Sequence, residues 1–170
     1  FRRVLFRSCR PILDFSRKLY DNIIADFGNP YGEWTLSGVH ASDEVFLITT
    51  NELPALQSAQ RVMNYYEANG IQRQRIRLVI NRFNKEVGLT ADMIEKALQT
   101  DVHQLIPSDY ESVQRALLDG KPIQTGTPVG KQLLQMSQKI LGRDPEKKKP
   151  EKSSSTSGLS GLFSLFSRGT

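Results

Sequence analysis

Apolar runs of strand length alternate with helix-patterned stretches through most of this chain, and that alternation restricts its fold more than any other feature. Ile23–Ala25, Glu44–Thr50, Ile76–Phe83 and Val102–Ile106 are short and rich in apolar or β-branched residues. Near-continuous hydrophobicity of this kind suits strands buried on both faces of a parallel sheet. Helical spacing fills the intervals. Ile12, Phe15 and Leu19 mark a helix over Pro11–Tyr20, and Leu36 with Val39 marks a short one over Trp34–Val39. Leu53, Leu56, Ala59, Met63 and Tyr66 form one stripe, with Pro54 in its first turn and Asn69-Gly70 as its stop. Thr90 is the expected cap of a helix through Leu98, with Asp92 in the favourable first turn. Ser108-Asp109-Tyr110-Glu111 has the capping-box spelling for a helix ending at Gly120. Thr127-Pro128 opens a last helix with Val129, Leu133, Met136 and Ile140 on one face and Gly142 beyond it. Strands separated by helices predict an α/β fold, a parallel β-sheet flanked by helices.

Within that frame the stretch from Asn22 to Pro30 carries the most suggestive chemistry. Its apolar run ends in Asp26 and then a Gly/Pro turn. A carboxylate at the carboxyl end of a buried strand stands where open α/β sheets take ligands. There it can hold Mg²⁺, or the water shell of the ion, beside a phosphate. Read alone, Asp26 also suits a plain strand-ending turn.

Length and charge narrow the partners. The 170 residues, 38% of them hydrophobic, are enough for one domain with a sizeable core. The formal charge of +5 is concentrated at the ends: Arg2, Arg3 and Arg7 contribute three positive charges, and residues 143–170 carry six basic and three acidic side chains. Residues 9–142 therefore carry a formal charge of −1, which gives no sign of a DNA-binding face, and nucleic acid is not an expected partner. The single cysteine, Cys9, excludes an intrachain disulfide and a cysteine-rich zinc site, and His40 and His103 read as structural. No apolar run approaches the ~20 residues of a membrane span. The expected location is cytoplasmic, peripheral at the inner membrane or cell pole if the surface makes membrane contact.

The chain divides into four parts. Residues 1–8, Phe1 to Ser8, lack the shape of a signal peptide and read as a sequencing or cloning artefact joined to a truncated gene. Residues 9–142 form the folded body. Residues 143–157, with Lys147–Lys149, Lys152, Pro145, Pro150 and a serine run, read as a basic linker. Residues 158–170 form a short amphipathic tail, with Leu159, Leu162, Phe163 and Phe166 at i, i+3, i+4 and i+7. That face suits a membrane surface or a partner groove, although Gly158 and Gly161 weaken a helix of about three turns. A solvated end with no partner fits the same residues.

Ile24-Ala25-Asp26-Phe27-Gly28, Ile48-Thr49-Thr50-Asn51-Glu52-Leu53-Pro54, Val79-Ile80-Asn81-Arg82 and Ile106-Pro107-Ser108-Asp109, with Gly120-Lys121-Pro122 after them, together resemble the carboxyl-terminal half of MinD/ParA deviant-Walker ATPases. The Thr-Thr-x-Glu-Leu-Pro and Asn-Arg-Phe spellings look most like the CpaE/TadZ branch, which serves type IVb (Flp/Tad) pilus assembly. The resemblance covers residues 12–142 and implies a P-loop NTPase fold whose amino-terminal part is missing. Neither G-x-x-x-x-G-K-[ST] nor K-G-G-x-G-K-[ST] occurs in the sequence. The chain by itself is therefore expected to be inactive, and its parent a slow Mg-ATPase using ATP and Mg²⁺.

By this resemblance Asp26 is the Walker B carboxylate, the catalytic and metal-supporting residue, acting on Mg²⁺ through water. Asn81 presents its carboxamide to adenine, for which a paired donor and acceptor are suited; as a residue alone it reads as a strand-ending turn. Arg82 and Pro107 border the base. Asp109 is open between a contact there and a role at the helix start. Glu52 lies where relatives form an ATP-dependent homodimer, and the Leu159, Leu162, Phe163 and Phe166 tail offers a membrane or partner contact. Phe27-Gly28-Asn29-Pro30 departs from the consecutive prolines of many relatives. The leading expectation is a nucleotide-dependent localisation and assembly factor with pilus or secretion-system partners. Two alternatives are a non-catalytic scaffold of the same fold and a ParA-like DNA-partitioning ATPase.

Overall fold

The structure, a computed structural model, describes residues 9–142. The octapeptide, the basic linker and the amphipathic tail, with Leu159, Leu162, Phe163 and Phe166, lie outside the described residues. In chain order the elements are α1 (Cys9–Ser16), α2 (Glu33–Ala41), β1 (Val45–Thr49), α3 (Leu53–Ala68), β2 (Ile76–Phe83), α4 (Ala91–Leu98), β3 (Val102–Pro107), α5 (Tyr110–Asp119) and α6 (Pro128–Ile140). Single 3₁₀ turns occupy Arg73–Arg75 and Lys85–Val87. Residues through Met136 form one compact unit; of the second unit, the described residues 137–142 finish α6 and end at Gly142.

The three strands make a parallel sheet in the order β1-β2-β3. Val45 lies opposite Ile76 and Thr49 opposite Ile80. On the other side Leu78 faces Val102, Ile80 faces Leu105 and Phe83 faces Pro107, with irregularities after Leu78 and after Ile80. Leu78, Val79 and Ile80 of the central strand are fully buried. Because side chains alternate along a strand, they divide between two cores. Leu78 and Ile80 join Met63 and Tyr66 of α3 and Ile94 and Leu98 of α4. Val79 joins Ile106 and Val129, with Val113 of α5 and Met136 of α6 against them. Covered faces on both sides explain why β2 is apolar without alternation.

Local chemistry accounts for most element ends. Pro54 lies in the first turn of α3, and Gly70 takes φ 81° just past its end. Thr90 accepts a hydrogen bond from Met93 N–H at 3.3 Å, as a helix cap should. The capping box at α5 is not used. Asp109 is the cap, accepting from Ser112 N–H at 3.2 Å. Ser108 is committed to the end of β3, where its N–H donates to Phe83 O at 3.1 Å.

One expected strand is absent. Residues 22–27 join no strand and no helix, and Ile24 is 88% exposed. Asp26 therefore lies on an exposed connecting segment and not at the end of a strand. The reason is the need of a strand for a neighbour. β1 pairs with β2 alone, and among the described residues no strand lies along its other edge. Apolar side chains favour an extended run, but backbone N–H and C=O groups leave water only when a ladder receives them.

The turn after Asp26 is nevertheless anchored to α2. The Phe27 ring packs onto Gly38, where a β-carbon would overlap it. Thr35 Oγ1 donates to Asn29 O at 2.5 Å, and Tyr31 N–H donates to Asn29 Oδ1 at 3.0 Å. Tyr31 in turn meets Tyr65 edge-on, with ring centroids 5.2 Å apart. Burial first, then the neighbouring Tyr65 and Tyr31, raise the pKa of the Tyr66 phenol above its ordinary value.

Candidate functional site

The carboxyl edge of the sheet gathers three segments: Thr50–Glu52 after β1, the last residues of β2 with Asn84, and Pro107 at the end of β3 with Ser108 and Asp109. Parallel strands place all their carboxyl ends at one edge, which is why residues far apart in sequence converge there.

The middle segment is the most distinctive. Arg82 adopts φ 52°, the left-handed region that few residues other than glycine enter. The side chain of Asn81 stabilises this corner, its Oδ1 accepting from Arg82 N–H at 2.9 Å. That contact orients the carboxamide, and Asn81 is half-buried while Arg82 is exposed. Pro107 stands opposite Phe83 in the ladder, just beyond the corner. Asn81, Arg82 and Pro107 thus come together at one edge.

Asp109 adds a feature there. One carboxylate oxygen caps α5, whereas Oδ2 is buried with no hydrogen-bond partner among the described residues. A buried acceptor of this kind calls for a donor. Glu52, at the other end of the edge, is exposed at the start of α3 and makes no side-chain cap bond. The adjoining Leu53 is 61% exposed. Asp26 is not carried to this edge by the sheet, because its segment joins no strand.

One residue of the edge escapes sequence reasoning. Asn51 is 1% exposed, and its carboxamide makes two bonds to the backbone of Asn84. Only its place between Thr50 and Glu52 marks it in the sequence.

At the opposite edge, Arg73, Arg77 and Lys96 line a cleft, but the arginines are already engaged. Arg73 pairs with Glu67 at 2.7 Å and Arg77 with Glu44 at 2.9 Å. Among the described residues no three His, Cys, Asp or Glu side chains cluster to hold a metal ion.

The fold, a parallel sheet covered by helices on both faces, is shared with solved ParA and MinD structures. The solved ParA family ATPase from Chlorobium tepidum TLS superposes with a TM-score of 0.68 at 24% identity, covering 74% of this chain and 53% of that one. MinD in the MinC:MinD complex from Aquifex aeolicus gives 0.68 at 18% identity, covering 79% and 57%. In sequence, the chain is 32% identical over 109 residues to the septum site-determining protein MinD of Thermotoga maritima. It is 30% identical over 83 residues to a putative septum site-determining protein MinD of Tupiella akineta. These matches cover 61% and 46% of this chain but only 40% and 26% of the relatives, so the chain spans less than half their length. No family model matches. The structural neighbours show the fold, and the sequence relatives show similarity to MinD proteins over those residues.

The residues present fit the base half of a nucleotide better than its phosphate half. An oriented carboxamide, an exposed guanidinium, a proline and an unpartnered carboxylate oxygen stand together at the edge. A magnesium ion, by contrast, is held by one or two carboxylates together with substrate phosphates. Asp26 is the carboxylate that the resemblance assigns to that role, and the sequence contains no G-x-x-x-x-G-K-[ST] loop to cradle phosphates.

Proposed function

We propose that this chain is the carboxyl-terminal part of a MinD/ParA-like ATPase that acts as a nucleotide-controlled dimer switch. The observation that carries this reading is the convergence of Asn81, Arg82 and Pro107 on one sheet edge within that fold. Asn81 would read the base edge, Arg82 and Pro107 would flank it, and Asp26 would support Mg²⁺ through water. ATP, when bound, supplies the phosphate bond whose hydrolysis times the switch. Glu52 and the start of α3 would face the second subunit, consistent with the exposure of Glu52 and Leu53.

Calorimetry on the longer protein that carries this chain tests the site. Asn81→Ala is expected to weaken Mg-ATP binding by roughly five- to tenfold, the size of one lost hydrogen bond to a buried polar group. An unchanged dissociation constant would remove Asn81 from the site.

The finer assignment is to the pilus-placing branch, supported by the Thr-Thr-x-Glu-Leu-Pro and Asn-Arg-Phe spellings. Its partners would be pilus or secretion-system proteins, with the 158–170 tail as the docking element at the inner membrane or the cell pole. No helix among the described residues is long and apolar enough to cross a membrane. Deleting the gene should abolish surface pili in electron micrographs. Normal piliation of the deletion strain would rule this branch out. The formal −1 charge of residues 9–142 weighs against DNA partitioning.

A further inference from the structure

Asn51 is among the most deeply buried of the described residues, and both its amide nitrogen and its oxygen are hydrogen-bonded. Its Nδ2 donates to Asn84 O at 2.7 Å, and its Oδ1 accepts from Asn84 N–H at 3.2 Å. The carboxamide thus imitates a neighbouring strand, receiving and giving one bond to the same residue. Asn84 is itself a pivot, since its own Oδ1 caps the following turn by accepting from Glu86 N–H at 2.9 Å. On the far side, Phe83 O accepts from Ser108 N–H at 3.1 Å.

The Phe83–Asn84 pair is therefore stitched from both directions, by Asn51 from the β1 side and by Ser108 from the β3 side. Immediately before it stand Asn81 and Arg82, the latter at φ 52°. A residue other than glycine keeps such a conformation only when its surroundings over-determine it. The ladder does not do so here, because the β2–β3 register is irregular between Ile80 and Phe83. The side-chain clamp supplies what the ladder lacks.

We propose that Asn51 is a positioning residue, holding the Asn81–Arg82 corner in the shape that recognises a nucleotide base. It touches no ligand and works through the backbone of Asn84. The inference rests on the reading of Asn81 as a base contact, and it adds that the β1–α3 junction sets the geometry of that contact. Because Asn51 directly precedes Glu52, the same clamp ties the base side of the edge to the start of α3.

The experiment uses nuclear magnetic resonance on the full 170-residue chain, with adenosine as the probe. In the unaltered protein, adenosine should shift the amide signals of residues 81–84. In Asn51→Leu, amide exchange at residue 84 should rise about tenfold, the equivalent of one lost hydrogen bond. Exchange at Leu78 and Ile80 should stay unchanged, which separates a local release from global unfolding. The adenosine dissociation constant should rise about tenfold as well, and adding Asn81→Ala to Asn51→Leu should cost nothing more, since both act at one contact. If Asn51→Leu fails to fold, Asn51→Asp is read through the adenosine dissociation constant alone, which should again rise about tenfold. That variant keeps the shape and the bond from Asn84 N–H but cannot donate to Asn84 O. Absence of any adenosine shift in the unaltered protein would sink the base reading itself. A normal shift that survives both Asn51 variants would leave the base reading standing and overturn the role of Asn51. Additive effects of Asn51 and Asn81 substitutions would likewise overturn it.

Discussion

Gly130→Ala should destabilise the protein by about 1–3 kcal/mol, although alanine is ordinarily the better helix former. Gly130 lies in the first turn of α6, where a β-carbon would overlap the carbonyl oxygen of Gln124 and come within 2.8 Å of its carbon. That carbonyl is backbone and cannot swing aside. Thr127 holds it twice, through its N–H at 3.1 Å and its hydroxyl at 2.7 Å. The same hydroxyl oxygen accepts from Gly130 N–H at 3.1 Å, so pushing Gln124 away also disturbs the cap of α6. The intrinsic preference of a helix for alanine over glycine, about 0.8–1 kcal/mol, is smaller than the combined overlap and cap loss. Urea denaturation of the variant is the measurement. Gly126→Ala serves as control, since nothing lies within 4 Å of a β-carbon there. Equal midpoints for Gly130→Ala and the unaltered protein would show that the loop yields freely.

Asp26→Ala should lower ATP hydrolysis by the longer protein roughly tenfold or more, equivalent to about 1.4 kcal/mol of barrier. Nucleotide affinity should change little, because the proposed contact is to the metal shell and not to the base. Asn81→Ala should show the opposite signature, weaker binding with less effect on the rate of the bound complex. The prediction does not depend on folding, since Asp26 is exposed and belongs to neither core. The turn behind it is held, with Phe27 on Gly38 and Asn29 bonded to Thr35 and Tyr31, so the carboxylate starts from an anchored base. Single-turnover hydrolysis beside calorimetry separates the two effects. Undiminished turnover in Asp26→Ala would refute the Walker B role.

Asp26 also shows where sequence reasoning stops. Ile23–Ala25 has the same apolar character as the run within β2, yet only the latter is a strand. Hydrophobicity is a property of the run itself, whereas a strand exists only where a neighbour accepts its hydrogen bonds. β2 has a neighbour on each side. The segment before Asp26 has none among the described residues. A similar competition was resolved at α5, where Ser108 and Asp109 both have capping chemistry. The ladder bond from Ser108 N–H to Phe83 O decided in favour of Asp109.

Local signals were sufficient wherever the cause was local. The bounds of β2, the Thr90 cap, the stripe of α3 with its Asn69-Gly70 stop, and the parallel α/β class follow from side-chain period and turn chemistry within a few residues. The order of the motifs also pointed to Asn81, Arg82 and Pro107. Their meeting at one edge, the left-handed corner at Arg82, the unpartnered oxygen of Asp109 and the burial of Asn51 were decided by tertiary structure alone. The clearest case is the pair Asn51 and Asn84, whose contact joins residues 33 apart in sequence. No window of sequence contains both halves of such a contact, and for that reason only the folded chain reveals it.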